Sequence, residues 1–174
     1  LCGVIPVTTL DMVFRQGKDS RIAANAHKMQ ENDTNLDYGD DFIFCPADTA
    51  AEAADKVAEY YRSFVDAYGI DNVQVLTPFR KKGEASVNAL NDRLWEMVNP
   101  KSSIARELKA GNALYREGDR IIHNKNKNDI SNGDIGYITD IYQDEDGVDL
   151  MRLSFSDGRI VEYSAEDADL IEHA

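Results

Sequence analysis

The spacing of apolar residues changes character near the middle of this chain. Up to about residue 100, short unbroken apolar runs alternate with stretches in which apolar residues recur every three to four positions; beyond Gly111 they alternate in brief segments parted by glycine and aspartate. The first regime predicts strands and helices in turn, the second a set of short antiparallel strands. Val4 to Leu10 is expected as a strand, and Ser20 to Glu31 as a helix with Ile22, Ala23, Ala26 and Met29 on one face. Phe42 to Cys45 is a second expected strand, closed by Pro46. Thr49 followed by Glu52 has the form of a capping box opening a helix, and Ala53, Ala54, Val57, Tyr61, Phe64, Val65 and Tyr68 carry its stripe until Gly69 ends it. Val73 to Thr77 suits a buried parallel strand stopped by Pro78, and a third helix follows with Val87, Leu90, Leu94, Met97 and Val98 inward, ending at Asn99-Pro100.

Strand, helix, strand, helix order implies right-handed crossovers and a parallel sheet with flanking helices, an α/β arrangement. The second regime reads differently. Arg120 to His123, Gly136 to Tyr142, Val148 to Phe155 and Arg159 to Tyr163 are expected strands, with Asp157-Gly158 as a hairpin signal. Four such strands in about fifty residues suggest a small all-β, SH3-like barrel. Two of its runs open on Gly-Asp steps, Gly118-Asp119 and Gly133-Asp134. Glycine accepts the positive φ of a tight turn, and the aspartate beside it can take the turn's own backbone N–H groups.

Composition narrows the class. In 174 residues, 43% hydrophobic and 29% charged, there is enough apolar mass for one medium domain or two small ones, and a folded rather than a disordered chain is expected. The chain begins at Leu1, without a methionine, directly before an apolar run, which suggests a piece excised from a longer protein. No apolar stretch reaches the roughly 20 residues of a membrane span, so no membrane partner is expected, and the setting expected is cytoplasmic. Cys2 and Cys45 lack the spacing of a metal site or a disulfide framework, and His27, His123 and His173 stand apart from any zinc-like pattern; no metal is expected. The net charge of −13 argues against nucleic acid as a partner, yet the acids are unevenly spread: from Tyr137 onward eleven of them face only Arg152 and Arg159, whereas Arg80, Lys81, Lys82 and Arg93 form a basic edge against Glu84 and Asp92.

Candidate chemistry falls at three places. Arg15, with Gln16 after it, follows an apolar pair just before a helix, where a guanidinium can reach from a sheet edge toward a phosphate. Thr77 to Gly83 delivers a hydroxyl, an aromatic ring and the cations Arg80, Lys81 and Lys82 at the carboxyl end of a strand, where parallel sheets place ligands. Asn124, Lys125 and Asn126 offer hydrogen bonds and charge to a nucleic acid, or make an ordinary exposed loop.

Taken in order, these residues resemble the RecD-like helicases of superfamily 1, ATP-dependent DNA unwinding motors related to the RecD subunit of bacterial exonuclease V. The resemblance rests on Ile5 to Leu10, Val13-Phe14-Arg15-Gln16, Ser20-Arg21-Ile22, Gln74 to Pro78, Leu90-Asn91, Asn99-Pro100, Gly118 to Ile121 and Asn132-Gly133-Asp134-Ile135-Gly136. It implies that residues 1–108 are most of a second RecA-like motor domain, that 111–166 are an SH3-like domain inserted into it, and that 167–174 are a strand returning to the motor domain. It further implies that Arg15, with Gln16, meets the γ-phosphate of ATP, that Thr77, Arg80, Lys81, Asn124, Lys125 and Asn126 face single-stranded DNA, and that ATP and Mg²⁺ belong to the full-length protein. Its partners would be single-stranded DNA, the remaining motor domain and other exonuclease V-type subunits. His123 stands where that family has glutamine, and Phe79 where it commonly has methionine.

A G-x-x-x-x-G-K-[ST] phosphate loop does not occur in the sequence, because Gly17-Lys18 is followed by Asp19 and lacks the upstream glycine. The fragment by itself is therefore expected neither to hydrolyse ATP nor to unwind DNA. Two other readings stand beside the helicase: a non-motor nucleic-acid or protein interaction module built on the barrel, and the RecD-like segment of a conjugative relaxase.

Overall fold

A computed structural model describes residues 20–127 and 129–174, and the chain divides into two compact units, one ending at Pro46 and the other running from Ala47 to Ala174. The strand expected from Val4 to Leu10 lies outside the described residues, as do Arg15 and Gln16.

In the first unit, Ser20 caps helix α1 (Arg21–Gln30) by accepting the Ile22 N–H at 3.2 Å. The apolar face expected here is not the buried one. Ile22 and Met29 are exposed, and the buried side chain is Asn25, whose amide donates to the Asp37 carbonyl at 2.7 Å and accepts the Asp37 N–H at 2.9 Å. That two-point clamp holds the following loop against the helix by hydrogen bonds rather than apolar contact. Phe42 meets Gly39 in a single bridge, while Ile43 and Phe44 are exposed and join no ladder among the described residues.

The second unit opens with α2 (Ala50–Tyr68) and α3 (Val87–Val98). Thr49 accepts the Glu52 N–H at 3.1 Å, but the reciprocal half of the expected capping box is displaced: the Glu52 carboxylate takes the N–H of Asp48 instead, at 2.8 Å. Ala54, Ala58 and Tyr61 of α2 pack on Leu90 and Leu94 of α3, with Val73 and Val75 against them. The stripe is narrower than its apolar residues suggest, since Phe64 and Tyr68 remain exposed and stack in a row with Tyr60. Between the helices Val73 is extended, yet Leu76 points to solvent and residues 73–77 make no ladder. An extended segment becomes a sheet strand only when another backbone offers its N–H and C=O groups, and among the described residues none does so in parallel.

All described ladders are antiparallel. Strands β1 (Glu107–Ala110) and β2 (Ala113–Arg116) form a hairpin, and β3 (Arg120–His123), β4 (Ile135–Gln143), β5 (Asp149–Phe155), β6 (Ile160–Ser164) and β7 (Ile171–His173) form a five-stranded sheet in the order β6-β5-β4-β3-β7. Leu108, Tyr115, Ile121, Ile138, Met151, Leu153 and Phe155 fill the interior between them, as the alternation along each strand dictates. β3 is where the sequence places it, and β4 to β6 differ from expectation by a residue at their ends. The β1–β2 hairpin was not expected as a pair of strands. Of the stretch 167–174 expected as a return strand, the first part lies in a 3₁₀-helix (Ala165–Leu170), and only β7 is extended, paired with β3 so that Ile121 stands opposite His173.

Gly136 shows why β4 needs a glycine. A Cβ there would stand 2.8 Å from the Ser154 carbonyl oxygen and 3.0 Å from the Phe155 ring, so β4 and β5 approach too closely for any side chain. No described helix is long and apolar enough to cross a membrane.

Candidate nucleic-acid interface

The two Gly-Asp steps form one turn used twice. In each, the aspartate N–H donates to the carbonyl three residues earlier at 3.1 Å, Asp119 to Arg116 and Asp134 to Ser131. The carboxylate then turns back to accept that residue's own N–H, at 2.6 Å from Arg116 and 3.0 Å from Ser131. The glycines between sit at φ 90° and 95°, which a side chain resists. Local chemistry thus builds both turns, as the sequence indicates.

What the two carboxylates do next differs. Asp134 stays at the surface, where Arg159 donates to it at 2.6 Å; the Ser131 N–H and that guanidinium hold its carboxyl below the usual range. Asp119 is completely buried and becomes the hub of a junction between α3 and the barrel. Besides the Arg116 N–H it accepts the Trp95 indole N–H at 2.5 Å, the Asn99 amide at 2.6 Å and His173 Nε2 at 3.1 Å. Arg116 closes the same junction from the other side. Its buried guanidinium lies 3.9 Å over the Trp95 ring and donates to Glu96 at 2.8 Å, to Glu107 at 2.6 Å and to the Asn99 carbonyl at 2.8 Å. Hydrogen bonds from Arg116 and Lys101 hold the Glu107 carboxyl below its ordinary value. The C-terminal turn of α3 and its cap are therefore tied to the β2–β3 turn by two opposite charges, each with several partners. Nothing in the spacing of Trp95, Asn99 and Arg116 signals this.

The residues singled out as nucleic-acid contacts fall on two loops of this unit. Thr77 donates its hydroxyl to the Ala85 carbonyl at 2.7 Å and so shapes the 77–86 loop, whose last residue, Ser86, caps α3 by accepting the Ala89 N–H. Arg80 and Lys81 are exposed on that loop, and Arg80 pairs with Glu172. On the second loop, the Asn124 N–H donates to the Leu170 carbonyl at 2.7 Å and Asn126 Oδ1 accepts the Asn132 N–H at 2.8 Å. Lys125 pairs with Asp169, and Lys127 pairs with Asp167 at 2.6 Å while lying over the Tyr163 ring. The hydrogen bond from Lys127 holds the Asp167 carboxyl below the usual range, and that of Lys127 is correspondingly raised.

His123 is buried at the base of the second loop. Its Nδ1 meets the Lys125 carbonyl, which can only accept, so Nδ1 carries the proton and Nε2 accepts from the Tyr163 hydroxyl at 2.8 Å. The imidazole thus fixes the loop, and among the described residues no group of three or more His, Cys, Asp and Glu is arranged to hold a metal. A cavity of about 180 Å³ lies between the helices and the barrel, with Gln74, Arg120 and Tyr137 on its wall. Arg120 reaches Gln74 at 3.4 Å, and its Nε, 3.9 Å from Asp71 Oδ1, has no hydrogen-bond partner among the described residues.

Residues 90–155 match the family model described as the ATP-dependent RecD-like DNA helicase SH3 domain. The matched stretch begins inside α3 and ends with β5, so it takes in Trp95, Asn99, Arg116 and Asp119 together with both Gly-Asp turns.

Proposed function

We propose that this chain is part of an ATP-dependent, RecD-like DNA helicase acting in recombination or repair in the cytoplasm. The observation that carries the reading is the match over residues 90–155, falling on a small antiparallel barrel that is bolted to the helix preceding it. In this reading residues 1–108 belong to the second RecA-like motor domain with its parallel sheet, residues 111–166 are the inserted SH3-like domain, and 167–174 lead back toward the motor.

Arg15, supported by Gln16, stabilises the charge that develops on the transferred phosphoryl group, and ATP and Mg²⁺ are gripped mainly by the first motor domain. Arg80, Lys81, Lys125 and the amides of Asn124 and Asn126 meet the backbone of a single strand, and Thr77 sets the loop that presents Arg80. The junction at Asp119 supports the reading: α3 follows the 77–86 loop directly and its C-terminal end is hydrogen-bonded to Asp119 through Trp95 and Asn99, so one helix joins that loop to the matched domain.

The test is Arg15→Ala in the intact parent enzyme. ATP turnover is expected to fall roughly 10³-fold or more, while single-strand binding persists. Unchanged turnover removes Arg15 from the nucleotide site.

A further inference from the structure

One short stretch of chain, from Asp167 to Glu172, supplies a carboxylate to each of three cations carried by two separate loops. Arg80 pairs with Glu172, Lys125 with Asp169, and Lys127 with Asp167. The partners stand 92, 44 and 40 residues apart in sequence, so the fold brings this acidic stretch to the cations. Two of the pairs lie open to solvent, with side-chain exposures of 63% and 42% for Arg80 and Glu172 and 55% and 65% for Lys125 and Asp169. An exposed pair of this kind holds weakly.

We propose that the segment Asp167–Glu172 is a built-in competitor for the phosphates of single-stranded nucleic acid, occupying Arg80 and Lys125 until a strand displaces it. The proposal rests on the reading above, from which the phosphate-contacting roles of those two residues come. Carboxylate and phosphate oxygens accept the same N–H groups, and a carboxylate tethered beside its cation acts at high effective concentration. A lone phosphate therefore gains little by replacing it. A strand gains several contacts at once together with counterion release, and this favours long polyanions over small ones.

The experiment measures binding of a fluorescent oligothymidine of about 20 nucleotides to the 174-residue chain across a salt series. Glu172→Gln with Asp169→Asn unmasks two cations. Glu145→Gln with Asp146→Asn removes the same charge from the β4–β5 turn and serves as the control. Each exposed pair is worth a factor of about 1.5 to 5, so the unmasked double variant is expected to bind about tenfold tighter and Glu172→Gln alone about threefold, against less than about twofold for the control. The salt dependence should steepen by about 0.7 per phosphate gained. Unmasked variants no tighter than the control overturn the competitor, and where Arg80→Ala or Lys125→Ala still weakens the unsubstituted chain the DNA reading survives that loss. Binding that ignores both Arg80→Ala and Lys125→Ala, or no binding by any variant, overturns the underlying DNA reading and the competitor with it.

Discussion

Replacing Asp119 with asparagine keeps its shape and removes its charge, which makes it the sharpest probe of the junction between α3 and the barrel. The carboxylate has no exposed surface and accepts four hydrogen bonds, two on each oxygen: Trp95 and Asn99 on Oδ1, the Arg116 N–H and His173 on Oδ2. An asparagine must turn its NH₂ toward one of these pairs. Facing Trp95 and Asn99, it sets donor against donor twice, although the Asn99 amide can flip to offer its oxygen. Facing the other pair, His173 can switch tautomer and accept, but the Arg116 N–H is left without an acceptor. Either way at least one buried donor is orphaned and the remaining bonds lose their charge assistance. A hydrogen bond to a charged group is worth about 1.5–3 kcal/mol, and an orphaned buried donor costs about 1–3 kcal/mol. The expected loss is therefore about 3 kcal/mol, a large share of the roughly 5–15 kcal/mol that stabilises a domain. Trp95 is the sole tryptophan of the chain and donates to this very carboxylate, so its fluorescence in a urea titration reports the junction directly. Asp134→Asn makes the same change in the equivalent turn at a half-buried position and should shift the midpoint far less. Equal shifts for the two variants, or a loss below about 1 kcal/mol with unaltered Trp95 emission, would show that Asp119 serves only its turn.

Two further outcomes are expected. Gly136→Ala drives a Cβ against the Ser154 carbonyl, which is backbone and cannot swing aside, so the barrel should lose about 1–3 kcal/mol by thermal or chemical unfolding; a neutral substitution would mean that β4 and β5 part without cost. Burial pushes the Tyr115 hydroxyl up to about 12, above the value of about 10 that it has in an unfolded chain. Because the folded state keeps the neutral form, this contribution is complete below about pH 10 and disappears as pH rises from there toward 12. Unfolding free energies measured over that window should fall with pH, and Tyr115→Phe, which gives up the bond to the Ile171 carbonyl at 3.1 Å, should flatten part of the decline.

Part of the local chemistry was legible in the residues. Thr49 caps α2 and Gly69 ends it, and the aspartates of the two turns act on neighbours three positions away; Ser20 and Ser86 cap their helices by the same local chemistry, though they were not expected as caps. Strand β3 and the sheet from β4 to β6 follow from alternation and turn residues, which need no knowledge of distant chain. The β1–β2 hairpin was harder to see, because Glu107 to Arg116 mixes small, charged and apolar residues around Gly111-Asn112, and its strands are four residues each. β7 is three residues long and owes its existence to β3.

Side-chain partners reached across long intervals of chain belong to the tertiary structure alone. From the sequence Asp119 is a turn residue, and only folding makes it the hub where positions 95, 99 and 173 meet; likewise Arg80, Lys125 and Lys127 read as free cations until Glu172, Asp169 and Asp167 are brought beside them. Capping and turn formation are decided by the dihedral angles and hydrogen-bonding groups of a few adjacent residues, so they are written where they act. Charge pairing is decided by distance in space, and that is set only when the whole sheet has closed around its core.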